Sequence, residues 1–85
     1  MKVLIPSPLI AYTNQTEVDA TGATITHMLA DLDRQYPGLR FRVIDEQGSM
    51  RPHMRFFVNS EQVFDMAHPL RATDSVQIVQ ALSGG

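Results

Sequence analysis

The sequence predicts an α+β domain in which one main helix lies across one face of a mixed sheet of four to five strands. Three observations predict it: a single strong helical face, several short stretches of alternating apolar residues, and a length of 85 residues that leaves room for one modest core and no second domain. A helix laid on a sheet is an economical way for so few residues to bury both apolar surfaces.

Each element has its own signal. Val3 and Ile5 alternate in the opening KVLIP, as in a half-buried strand, and EVDA from Glu17 repeats the pattern after a polar turn at Thr13, Asn14 and Gln15. The pair predicts an N-terminal hairpin. Ile25, Met28, Leu29, Leu32 and Tyr36 then fall at i, i+3, i+4, i+7 and i+11, one face of a helix over 25–36. Thr24 is its expected N-cap and Pro37-Gly38 its stop. Leu39, Phe41 and Val43 alternate again and predict a strand, which dissolves into a long polar loop over 45–53. Met54, Phe56 and Val58 mark a further strand, Asn59-Ser60 a turn, and Gln62-Val63 a short return. After a turn region at Pro69 and Leu70, Val76 and Ile78 define the closing strand. The order strand, strand, helix, strand, strand, strand is the β-grasp arrangement, the fold of ubiquitin. Its core is predicted to pack Ile25, Met28, Leu29 and Leu32 against Val3, Ile5, Phe56, Val58, Val76 and Ile78. The domain is expected to span 1–82, with 83–85 as a flexible tail.

Composition excludes several functions. Without cysteine there are no disulfides, thiolate metal sites or thiol nucleophiles, a usage that fits a reducing cytoplasm. A formal charge of -2 gives no general attraction for polyanions, so nucleic acid is not expected as a partner. No apolar run reaches membrane-spanning length, and Pro6 and Pro8 break the opening stretch, which reads as a strand and not a signal peptide. Lys2 is the single lysine, a poor basis for linking copies of the chain to one another.

The candidate chemistry lies at Gly84-Gly85. Glycine loses more backbone entropy on ordering than any other residue, so this pair is poor material for finishing a strand. It is either a frayed end or a tail that threads a narrow channel in a partner and presents its carboxylate there. The other polar residues read more plainly. His27, His53 and His68 have no metal-ligand spacing, and Asp45-Glu46 reads as loop polarity. Arg40, Arg42, Arg51 and Arg55 form a basic cluster, better read as a solvated face than as a surface for an acidic partner. Ser83 reads as a tail spacer.

The chain resembles the MoaD/ThiS family of ubiquitin-like sulfur carriers over essentially its whole length. The resemblance rests on KVLIP, the helix GATITHMLADL, the hairpin FFVNSEQV, and above all on TDSVQIVQALSGG, in which a strand preceded by Asp74 runs directly into Gly84-Gly85. Within the family, IPSPLIAYT and the loop DEQGSMRPH are most similar to the CysO-like type, which supplies sulfur for cysteine synthesis. An Arg-Glu-Leu-like segment after the first strand, usual in the molybdopterin synthase small subunit, is absent. His27 departs from the family, which often places a glutamate there to complete a capping box, and a weaker cap is expected.

The resemblance implies a covalent carrier and not an enzyme, with no catalytic residues and no cofactor of its own. An E1-like enzyme using ATP and Mg²⁺ would adenylate the Gly85 carboxylate. A sulfur donor would then displace AMP and leave a thiocarboxylate for a downstream sulfur-accepting synthase. Ser83 and Gly84 would form the threading tail. Phe57, Val79 and Leu82, alternating away from the core, are the expected docking residues. For Phe57, packing under the 45–53 loop is an equal alternative. A cytoplasmic location and a monomeric free state are expected. Two further readings stay open, a ubiquitin-like modifier joined through Gly85 to target lysines and a plain interaction module.

Overall fold

Strand β1 (Lys2–Leu4) pairs antiparallel with β2 (Glu17–Asp19), in the register Lys2↔Asp19, Val3↔Val18 and Leu4↔Glu17. This computed structural model describes residues 1–81. The link between the two strands is more ordered than the expected polar turn. Pro8 sits at the start of a 3-10 turn (Ser7–Leu9), where a missing N–H costs nothing, and a single helical turn follows, α1 (Ile10–Thr13). Asn14 ends α1 with φ 57°, a left-handed conformation that asparagine tolerates. Buried Thr13 donates its hydroxyl to the Gln15 carbonyl, so the segment buries no unpaired side-chain group.

The main helix α2 (Ile25–Gln35) buries Ile25, Met28, Leu29 and Leu32, the face predicted from the spacing. Its N-terminus is better capped than expected. The Thr24 hydroxyl accepts from the His27 N–H at 3.2 Å, and His27 Nδ1 lies 3.0 Å from the same oxygen, so the imidazole supports the cap. The Ile25 and Thr26 amides, which have no partner within the helix, donate to the carbonyls of His68 and Met66. Gly22 lies against this first turn. A Cβ there would fall 2.8 Å from both His27 C and Met28 Cα and closer still to Met28 N, which only a displaced helix could accommodate. Farther along, Asp31 accepts from Arg34, the Thr21 amide and Gln35, tying the β2–α2 connection to the helix.

The stretch 39–43 is a helix, α3 (Leu39–Val43), and not the strand its alternation predicts. Leu39 and Val43 are fully buried, as either geometry would allow, but Phe41 is 49% exposed. In a strand all three would share one face, whereas in a helix residues four apart share it and the middle residue points away. Asp33 explains why a helix forms so soon after Pro37-Gly38. Its Oδ1 accepts from the amides of Gly38 and Arg40, capping α3 from the preceding helix, and Gly38 makes the turn at φ 97°.

Strands β3 (Met54–Val58) and β4 (Glu61–Val63) form the second hairpin. Asn59 and Ser60 both have positive φ, the two-residue turn that matches strand twist. The last strand, β5 (Ser75–Gln80), completes a five-stranded mixed sheet in the order β2-β1-β5-β3-β4. Val3, Ile5, Phe56, Val58, Val76 and Ile78 are all buried in one cluster with the α2 face, as predicted.

Leu39→Ala should therefore destabilise the domain by about 2 to 5 kcal/mol, as burial in a packed core implies, while Phe41→Ala should cost less than about 0.5 kcal/mol. Urea unfolding of both variants checks this, and equal losses would restore the strand reading. Gly22→Ala should cost as much as a core deletion.

Candidate functional site

β5 is the central strand and the most firmly held. On one side it pairs in parallel with β1 through Lys2↔Ser75, Val3↔Val76 and Leu4↔Gln77. On the other it pairs antiparallel with β3 along its full length, from Met54↔Gln80 to Val58↔Val76. Its start is clamped as well. The Asp74 carboxylate accepts from the Arg71 amide and from Asn59 Nδ2, while Asn59 Oδ1 accepts from the Ser75 amide and the Asn59 amide donates to the Ser75 carbonyl. The Ala81 amide closes the described chain with a 2.7 Å bond to the His53 carbonyl. Whatever follows Ala81 thus leaves from a fixed root.

Two surfaces flank that root. On the sheet face turned away from α2, the cross-strand row Leu4, Gln77, Phe57 lies next to the pair Val79 and Arg55. Leu4, Phe57 and Val79 are half-buried, alternating with the buried Phe56, Ile78 and Val3, and they sit outside the main core cluster. The second surface lies beside β1's end, where β5 runs on past Leu4 with β3 alone for a partner. A cleft of about 370 Å³ opens there, lined by Pro8, Leu9, Phe41, Arg42, Arg51, His53 and Gln80.

The cleft is cationic. Arg51 Nε donates to the Phe41 carbonyl at 2.7 Å, and the Arg42 guanidinium sits 5.9 Å above the Tyr12 ring, so both side chains are oriented by neighbours. The ion pairs among the described residues are Lys2–Glu17 and Arg34–Asp31, and neither involves the cleft. On its outer side Arg51 borders the turn bearing Asp45 and Glu46, whose Asp45 carboxylate is engaged by the amides of Gln47 and Ser49.

Of the residues singled out from sequence, the structure brings Phe57 and Val79 to one face beside the exit. Leu82, Ser83, Gly84 and Gly85 lie outside the described residues. Phe41, Arg42, Arg51 and His53 were missed as a group around the exit. The available signal was four arginines within 40–55 of a chain whose net charge is negative. Among the described residues no three acidic or histidine side chains group to hold a metal, and no helix is long and apolar enough to cross a membrane.

This architecture defines a ubiquitin-like β-grasp protein whose central strand leads straight to the C-terminal segment. The chain belongs to the ThiS family, which it matches over residues 3–85. It is 33% identical to the sulfur carrier protein CysO of Mycobacterium tuberculosis over 98% of this chain and 96% of that protein. Among solved structures it is similar to a chain of the Amycolatopsis orientalis BexX/CysO complex, with a TM-score of 0.90 and 26% identity over 99% of this chain and 98% of the other. It is also similar to SAMP1 of Haloferax volcanii, with a TM-score of 0.80 and 25% identity over 100% of this chain and 98% of that one. The CysO relatives are named as carriers, in agreement with the expectation of a carrier and not a catalyst.

The clamp at β5 has a pH signature. The Arg71 backbone amide, and after it the Asn59 side-chain Nδ2, hold the Asp74 carboxyl below its ordinary value of 3.8. A carboxyl lowered by folding contributes stability that is fully present above the ordinary value and is lost as pH falls through the lower folded value. The stability gap between the wild type and Asp74→Asn, measured by denaturant unfolding, should stay constant above about pH 5 and shrink below about pH 4. A gap that persists unchanged into strong acid would remove Asp74 from the clamp.

Proposed function

We propose that this protein is a cytoplasmic sulfur carrier of the CysO-like type, working through the carboxylate of Gly85. An E1-like enzyme, using its own ATP and Mg²⁺, joins the carboxylate to AMP with release of pyrophosphate. A sulfur nucleophile then displaces AMP, because AMP is a far better leaving group than hydroxide. The resulting thiocarboxylate passes its sulfur to a downstream synthase, in cysteine, molybdopterin or related biosynthesis. The observation that carries the reading is the family match, which covers residues 3–85.

The described geometry supports it. An acyl group at the end of a short tail can be delivered reproducibly only from a fixed root, and β5 with its bond to His53 provides one. Phe57, Val79 and Leu82 are the proposed docking residues, with Ser83 and Gly84 as the segment that passes through the enzyme's channel. A second reading, a ubiquitin-like modifier joined through Gly85 to lysines of other proteins, draws support from the likeness to SAMP1, a small archaeal modifier protein. Intact mass spectrometry of protein from its own cells distinguishes the two, by an oxygen-to-sulfur exchange at Gly85 or by isopeptide-linked partners.

Adding one residue after Gly85 moves the carboxylate, and Gly84→Val adds a branched side chain to the threading segment. Both should abolish ATP–pyrophosphate exchange with the activating enzyme while leaving the melting temperature unchanged. Adenylation of the extended chain, with no protease present to trim it, would end the terminal-carboxylate mechanism. Phe57→Ala should weaken binding to the same enzyme about tenfold or more, the loss expected of a central apolar anchor, with little change in stability. Unfolding, with binding per folded molecule unchanged, would return Phe57 to the core.

A further inference from the structure

We propose that the cationic cleft beside the β5 exit is a docking site for a carboxylate-rich segment of the protein that receives the tail. The inference rests on the carrier reading for its biological setting but not for its chemistry. Arg42 and Arg51 face the cleft together with His53, and no carboxylate lies within 4.0 Å of either guanidinium among the described residues. A chain of net charge -2 has thus concentrated unpaired positive charge beside the segment that leads to Gly85.

The lining of the cleft argues for a peptide over a small anion. It combines the arginines with Pro8 and with Phe41, about half of whose surface is exposed. Arg42 is exposed and Arg51 half-buried, so they are not the buried donors a closed oxyanion site would require. A segment that alternates carboxylates with aliphatic carbon matches this mixed lining. Arginine is the side chain suited to such recognition, because its planar donors can grip a carboxylate in pairs. Arg51 is held for the purpose, since its Nε is already committed to the Phe41 carbonyl and its terminal nitrogens make no hydrogen bond among the described residues. Nucleic acid fits less well, because the chain carries a net charge of -2 and Asp45 and Glu46 border Arg51.

Location gives the contact its use. A partner that accepts the tail must cover the root at Ala81, so the cleft falls within its footprint. Charge complementarity there speeds encounter and rejects wrong partners more than it adds affinity.

The test is an amide NMR titration of the full chain with hexaglutamate, with inorganic phosphate as the comparison. Hexaglutamate should shift the amides of Arg42, Arg51, His53 and Gln80, and the shifts should fade at about 0.5 M salt, where screening is strong. Arg42→Gln and Arg51→Gln should each weaken the apparent affinity about threefold or more, while Arg34→Gln, remote from the cleft, should not. The spectra themselves report whether each variant is folded. Unlocalised shifts, or shifts unaffected by both variants, would overturn the proposal, and equal shifts with phosphate at matched charge would replace it with a small-anion site. With an E1-like enzyme that adenylates the wild type, Arg42→Gln should raise KM at unchanged kcat. Absence of any adenylation of the wild type would instead refute the carrier reading, leaving the titration to decide the cleft.

Discussion

The insertion of β5 between β1 and β3 is the constraint on which the rest of this molecule depends. Its parallel partner begins at residue 2 and its antiparallel partner at residue 54. Neither pairing is local, and a parallel pair needs a long crossover, which here contains α2. The helix and β5 therefore share one core, which β5 closes through Val76 and Ile78. Long-range pairing of this kind costs loop entropy before it returns any contact energy. In exchange, the strand leading to the C-terminal segment is the one least free to fray, because peeling it away would expose both halves of the sheet.

Polar groups are arranged to protect that closure. The free amides at the start of α2 are satisfied by the 66–70 turn, and the carboxylate and amide of Asp74 and Asn59 join that same connection to the β3–β4 turn. One connection thus caps the helix, starts β5 and holds the hairpin. No buried side-chain polar atom lacks a partner among the described residues, so the modest core is not weakened by unpaired groups, each of which would cost a substantial share of a small domain's stability.

Where several independent signals agree, the fold was legible from the sequence. α2 has periodicity, a cap and a stop, and β3 and β5 alternate cleanly into a defined turn. The stretch 39–43 was misread because Leu39 and Val43 satisfy a period of two and a period of 3.6 equally well. The deciding residue, Phe41, is apolar whether it is buried or not, and the Asp33 carboxylate that caps α3 belongs to another element. The helical turns over 7–13 escaped for a related reason, since Pro6 and Pro8 announce a break in the strand but not what replaces it. For the candidate site, the placement of Phe57 and Val79 on one sheet face followed from simple alternation. The cleft did not, because the clustering of arginines is visible in sequence while their convergence beside Pro8 and Gln80 exists only after the sheet has formed.

The two surfaces at the exit differ in kind, and that difference bears on recognition. Leu4, Phe57 and Val79 offer apolar area, which is non-directional and weakly sensitive to salt, whereas Arg42 and Arg51 offer directional contacts that weaken as salt rises. An apolar patch of three side chains leaves a partner free to dock in several rotations, and a cationic cleft alone would attract many acidic surfaces. Placed beside one strand end, the two would, on the proposed reading, fix a partner's position and orientation together. That is the condition for guiding a short tail into a channel, since a tail of only a few residues has little reach with which to correct a misaligned partner.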